Sequence, residues 1–223
     1  MDLILFDVDG TLVDSRAFIV AAMSDAFAAE GLPPPARAAT LGIVGLSLPH
    51  AIAALAPGLP PDLQARLVEA YKTRYGTLRL EMTQGEPLYD GAAEALAALA
   101  AREDVLLGIA TGKSRRGLDH ILAGHDLGRH FVTLHTADDA PSKPDPTMVH
   151  DALRATGAEA ARTVMVGDSN FDMAMARAAG IRGIGVSWGF QSPDILRATG
   201  ADVVISHFAE LEGTLARLLG WPR

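Results

Sequence analysis

Two pairs of aspartates stand at the ends of apolar runs, and their spacing suggests chemistry. Phe6-Asp7-Val8-Asp9-Gly10-Thr11 closes the run Leu3–Val8 with carboxylates two residues apart. Gly167-Asp168-Ser169-Asn170-Phe171-Asp172 follows Thr163–Val166, and its carboxylates, four apart, can face one cavity at a helix start. Each cluster alone has a plain structural reading: an Asp-Gly turn for the first, helix capping by Asp and Ser for the second. Together they say more. Like charges that converge need a cation, and oxygen-only ligands select a hard one, so Mg²⁺ is the expected ion.

Two further pieces suit a phosphate. Val105–Ala110 ends in Thr111-Gly112-Lys113-Ser114, a hydroxyl and free amides where a helix begins. An ordinary N-cap explains those letters equally well. Ser142-Lys143-Pro144-Asp145-Pro146 fixes a lysine between turn residues, where it could reach inward as a point charge. A solvated loop lysine is the simpler reading of that piece alone. His120, His125, His130 and His135 recur every five residues. On a helix each is turned by about 140° from the last, so no shared face and no metal site is expected.

The elements that must position these residues can be read from hydrophobic patterning. Leu3–Val8, Val105–Ala110, Phe131–Leu134, Thr163–Val166, Gly183–Val186 and Asp202–Ile205 read as buried strands. Helical patterns cover Ser114–Ala123, Pro146–Thr156, Phe171–Ala179 and Pro193–Ala198. The alternation predicts an α/β fold, a doubly wound parallel sheet with helices on both faces. Residues 15–85 break the rhythm. They carry helical patterns, the longest at Ala17–Ala29 and Pro61–Glu81, and no convincing strand. The expected organisation is a core of residues 1–14 and 86–223 with an all-helical insertion at 15–85.

Composition closes off other classes. The net charge is −8 and the basic residues are scattered, so no nucleic-acid or anionic-membrane partner is expected. The absence of cysteine excludes disulfides, thiolate catalysis and Cys-ligated metal. No stretch reaches the ~18 apolar residues of a membrane span, and Leu3–Phe6 is too short for a signal peptide. A soluble cytoplasmic protein, monomer or homodimer, is expected.

Taken in order, the four pieces resemble the haloacid dehalogenase superfamily. They are Asp-x-Asp-Gly-Thr, a Thr after the second core strand, a Lys before a helix, and Gly-Asp-x-x-x-Asp. Leu88-Tyr89-Asp90-Gly91 and Ser187-Trp188-Gly189 are also similar, and the helical insertion resembles a C1-type cap on a Rossmann-like core. The resemblance is strongest to phosphoglycolate phosphatase-like proteins. It implies a Mg²⁺-dependent phosphatase acting on a small phosphorylated metabolite through an aspartyl-phosphate. In that scheme Asp7 is nucleophile and metal ligand. Asp9 is general acid/base and gives the metal its backbone carbonyl. Thr111 and Lys143 bind phosphate, with Gly10 and Gly112 in the same loops. Asp168 is the third protein ligand to the metal, and Asp172 supports the metal shell or Lys143. Because Asp9 is present, phosphoryl chemistry is favoured over dehalogenation or phosphonate hydrolysis. A sugar phosphomutase, a pyrophosphatase and a non-catalytic relative remain as alternatives. The cap loop Gly45-Leu46-Ser47-Leu48 resembles a specificity loop, and Arg37, His50, Lys72, Arg74 and Arg79 are the cap's candidate polar contacts.

Overall fold

The computed structural model describes residues 1–81 and 85–221. Six strands form one parallel sheet: β1 (Asp2–Phe6), β2 (Val105–Ala110), β3 (Phe131–His135), β4 (Thr163–Gly167), β5 (Arg182–Val186) and β6 (Val203–Ile205), in the order β3-β2-β1-β4-β5-β6. The first strand is therefore central, paired with β2 on one side and β4 on the other. Its side chains alternate, as a pleat requires. Leu3 and Leu5 point to the layer holding Met148, Val149 and Met175. Ile4 and Phe6 point to the layer holding Leu96, Leu118 and Leu215. Both faces are covered, so β1 is wholly buried and apolar from Leu3 to Phe6, with Asp2 at its start paired to Arg162.

The helices of the two layers are α5 (Ala92–Ala100), α6 (Arg115–Gly124) and α10 (Leu211–Leu219) on one face, with α7 (Thr147–Thr156) and α8 (Asn170–Ala178) on the other. Helix α9 (Pro193–Thr199) follows β5. The predicted strand Leu3–Val8 is shorter than expected. The chain turns just past Val8, whose carbonyl accepts from the amides of Thr11, Leu12 and Val13. Asp7 and Asp9 thus lie on a loop beyond the strand rather than on it.

Four helices intervene between β1 and the return to the sheet: α1 (Arg16–Ala29), α2 (Arg37–Gly42), α3 (Leu48–Leu55) and α4 (Pro61–Glu81). They bury side chains of their own. Phe18, Ile19 and Ala22 of α1 meet Tyr75 and Leu78 of α4, while Met23 and Phe27 meet Ile52, Leu67 and Val68. The loop between α2 and α3 rests on the ends of the sheet. The Ser47 amide donates to Ser142 Oγ at 2.8 Å. A Cβ on Gly112 would lie 2.4 Å from the Gly45 carbonyl oxygen, so only glycine lets the loop sit that close. No described helix is long and apolar enough to cross a membrane.

Candidate active site

The C-terminal ends of β1, β2 and β4 converge where the strand order reverses, the crevice in which open α/β sheets place ligands. The structure brings Asp7, Thr111, Lys143, Asp168 and Asp172 together there, and every one is at most 1% exposed. The Asp7 amide continues the ladder by donating to the Val166 carbonyl at 3.0 Å. Its carboxylate accepts from the Val8 amide at 2.7 Å and lies 3.0 Å from Lys143 Nζ.

Lys143 is the least expected of the set. It is fully buried, and its ammonium also donates to Asp172 Oδ1 at 2.6 Å. Burial opposes its charge, but Asp172 and Asp7 outweigh burial and raise its pKa. Asp172 is held by a capping box at the start of α8. Its Oδ2 accepts from the Ser169 amide and hydroxyl at 3.1 and 2.6 Å, while Ser169 Oγ accepts from the Asp172 amide. Asp172 is thus the N3 partner of the N-cap Ser169, and the same carboxylate accepts from Lys143.

Asp168 sits between two glycines. Its Oδ1 accepts from the Thr11 hydroxyl at 3.0 Å and its Oδ2 from the Phe190 amide at 2.8 Å. A Cβ on Gly10, whose φ is +82°, would come within 2.3 Å of Asp168 Oδ2. A Cβ on Gly189 would come within 2.1 Å of Asp168 Cβ. Gly10 is thus required twice over, by its left-handed backbone and by the close approach.

Carboxylate oxygens of Asp7, Asp168 and Asp172 all lie within 4.8 Å of one another. Burial pushes Asp7 up to about 6, against the pull of Lys143 and with a push from Asp172. Burial, then the charges of Asp172 and Asp7, hold Asp168 well above the usual carboxylate range. One ammonium does not balance three buried carboxylates. A set of oxygen donors this compact fits a hard divalent cation. Asp172 is engaged by Lys143 and Ser169.

Asp9 is placed differently. Its side chain turns toward Lys113, whose Nζ donates to Oδ1 at 2.7 Å. It is absent from the three-carboxylate group, which leaves its backbone carbonyl as the contact the resemblance implies. Gly112 lies against the carbonyls of Gly45 and Leu46, in the loop between α2 and α3, rather than against open space. Among the candidate polar residues of the helical insertion, Lys72 pairs with Glu69, and Arg74 with Asp25 and Glu81. His50 Nδ1 meets Ser47 Oγ at 2.8 Å. Arg37 lines a surface groove with Phe190 and Gln191. Only Arg79 turns inward, to Glu86 at 3.0 Å.

The sequence reading left Thr11, Lys113, Glu86 and the Gly189-Phe190 pair without roles. Thr11 and Lys113 stood inside motifs already singled out, yet their partners are 157 and 104 residues away. Glu86 stands in a linker with no periodicity to mark it.

A family profile described as haloacid dehalogenase-like hydrolase matches residues 4–186. The chain is 34% identical to a probable phosphatase IndB of Dickeya dadantii, over 97% of this chain and 94% of that protein. It is 33% identical to a phosphoglycolate phosphatase of Rhodospirillum rubrum, over 99% and 91% of the two chains. Among solved structures, a hydrolase from Pseudomonas syringae superposes with a TM-score of 0.86 at 27% identity, covering 97% of this chain and 99% of that one.

Proposed function

The chain belongs to the haloacid dehalogenase-like hydrolases, and from that premise we propose that it is a Mg²⁺-dependent phosphatase of small phosphate monoesters, working through an aspartyl-phosphate on Asp7. The observation that carries this reading is the buried Lys143 ammonium 3.0 Å from Asp7 Oδ2, with Asp168 and Asp172 closing the group. A carboxylate is a weak nucleophile, so the phosphoryl group must be made a better electrophile. Lys143 supplies one fixed positive charge for the transferring oxygens. The Thr111 hydroxyl, which accepts from the Lys113 amide at 3.2 Å, keeps its one proton to donate to another. A Mg²⁺ ion, held by Asp7, Asp168 and the Asp9 carbonyl, would supply further neutralisation of that charge.

The first step forms a bond from an Asp7 carboxylate oxygen to phosphorus and breaks the ester bond. The departing oxygen takes a proton from Asp9. In the second step Asp9 takes a proton from water, whose oxygen attacks the phosphorus, and Asp7 leaves as a carboxylate. Asp172 acts only by orienting Lys143. On this reading residues 15–85 form a cap over the core made by 1–14 and 86–223, and the Gly45–Ser47 loop reads the part of the substrate that leaves. The curated relatives named phosphoglycolate phosphatase make 2-phosphoglycolate the first substrate to try.

The test is phosphate release from a panel of phosphorylated metabolites with Mg²⁺, run beside Asp9→Asn. That variant keeps the backbone and removes the titratable oxygen. Turnover of an alkyl phosphate should fall by about 10²–10⁴-fold. With a nitrophenyl ester, which departs without a proton, phosphate should accumulate on Asp7 and appear in the intact mass. A wild-type protein inactive on the whole panel would sink the reading.

A further inference from the structure

Two buried charges take no part in the chemistry above. The Lys113 side chain is 8% exposed and that of Glu86 only 1%. Lys113 Nζ lies 2.7 Å from Asp9 Oδ1, 3.3 Å from Glu86 Oε2 and 3.4 Å from the Tyr75 hydroxyl. Glu86 Oε1 accepts from Arg79 Nε at 3.0 Å, and the Arg79 guanidinium lies over the Tyr75 ring at 4.8 Å. Two anions and two cations thus balance. They come from separate parts of the chain: the loop after β1, helix α4 of the cap, the linker back to the sheet, and the loop after β2.

Burying such a set incurs a desolvation cost that well-packed apolar side chains would avoid. What the set gains is a fixed position for Asp9. The bond uses Oδ1 alone. Among the described residues nothing hydrogen-bonds Oδ2, and the Asp9 side chain keeps 13% exposure. One oxygen is anchored and the other is left to exchange a proton. Tyr75 and Arg79 belong to α4, so the anchor is shared with the cap.

We propose that Lys113 is the positioning residue for the general acid/base, fixing the Asp9 carboxylate through Oδ1 and tying that position, through Glu86 and Tyr75, to cap helix α4. This rests on the reading of Asp9 given above. A lysine that acts through Asp9 has nothing to position once Asp9 cannot exchange a proton, so the two losses cannot add.

The experiment is a double-mutant cycle of Lys113→Met and Asp9→Asn on an alkyl phosphate with saturating Mg²⁺. Lys113→Met should lower kcat by about 10–100-fold, the range for a misplaced reacting group, and change KM by less than about threefold. In the Asp9→Asn background the same substitution should change kcat by less than about threefold. With a nitrophenyl ester Lys113→Met should let phosphate accumulate on Asp7, as Asp9→Asn does. Lys113→Arg should recover part of the loss. Because Met leaves Glu86 without its lysine, Lys113→Met/Glu86→Gln serves as the second form, and it should show the same kcat loss with a wild-type melting temperature. Additive losses, or a change in KM alone, overturn the proposal while leaving Asp9 as acid/base. An Asp9→Asn protein with full alkyl-phosphate turnover overturns both. If neither methionine form folds, Lys113 is a structural residue and the proposal falls.

Discussion

Gly189→Ala should disable the site from a position outside every aspartate cluster. A Cβ built on Gly189 lies 2.1 Å from Asp168 Cβ, 2.5 Å from its Oδ2 and 2.6 Å from its Cγ. Carbon atoms in contact prefer ~3.5–4.0 Å, so Asp168 or the Gly189 loop must shift by more than about 1 Å. Neither yields easily. Asp168 is held by Thr11 and by the amide of Phe190, the very next residue. The loop is clamped by Arg16, whose guanidinium donates to the carbonyls of Trp188 and Gly189. Overpacking of this kind costs about 1–3 kcal/mol, which a chain of this size survives. A displacement of about 1 Å at a reacting centre costs on the order of 10²-fold in rate. Gly189→Ala should therefore fold, lose about 10²-fold in turnover and need more Mg²⁺ for half-activation. The assay is steady-state phosphate release across a Mg²⁺ titration, with thermal unfolding alongside. Gly213→Ala in α10 is the control. Nothing lies within 4 Å of its added Cβ, so it should gain about 0.5–1 kcal/mol and keep full activity. Turnover of Gly189→Ala within about threefold of wild type at every Mg²⁺ concentration would refute the steric argument.

Lys143→Met removes the ammonium between Asp7 and Asp172 while keeping the bulk. Turnover should vanish, and the unfolding free energy in chelator should drop by about 3–5 kcal/mol, the cost of breaking a buried ion pair. A drop under about 1 kcal/mol in denaturant melts would show that the carboxylates do not need it. Exhaustive chelation of the wild type should abolish phosphate release and Mg²⁺ should restore it. Mg²⁺ at 100 times its dissociation constant should also stabilise the fold by about 2.7 kcal/mol, so an unmoved melting temperature would contradict the metal assignment.

Hydrophobic runs located all six strands and the two long insertion helices, because continuous apolar strands and a 21-residue helix carry strong signals. Four helices escaped, Leu48–Leu55 among them. Ala92–Ala100 is almost all alanine and leucine, so no polar face marks it. Arg37–Gly42 is too short to show a period. Leu211–Leu219 has a glycine in its third position. In the site, the aspartates were legible because their spacing is local. Lys143 was ambiguous because a single loop lysine says nothing of burial, and only the packing of α7 and α8 against the sheet fixes it. The Asp9–Lys113 partnership was illegible, since topology and not spacing makes the residues neighbours.

The central place of β1 has a consequence for how the chain is made. Its two partners, β2 and β4, begin roughly 100 and 160 residues downstream. At ~5–20 residues per second, β1 waits several seconds for its first neighbour and longer for its second. Throughout that interval the four apolar residues Leu3–Phe6 have no sheet to join. Helices α1 to α4 emerge next and bury their own apolar faces with contacts close in sequence, which form fast. These helices can thus pack as soon as they are synthesised, while β1, which leads into Asp7, pairs only when β2 arrives. Asp7 gains Asp168 and Asp172 later still, when β4 and α8 follow, and Phe190, which holds Asp168, comes after both.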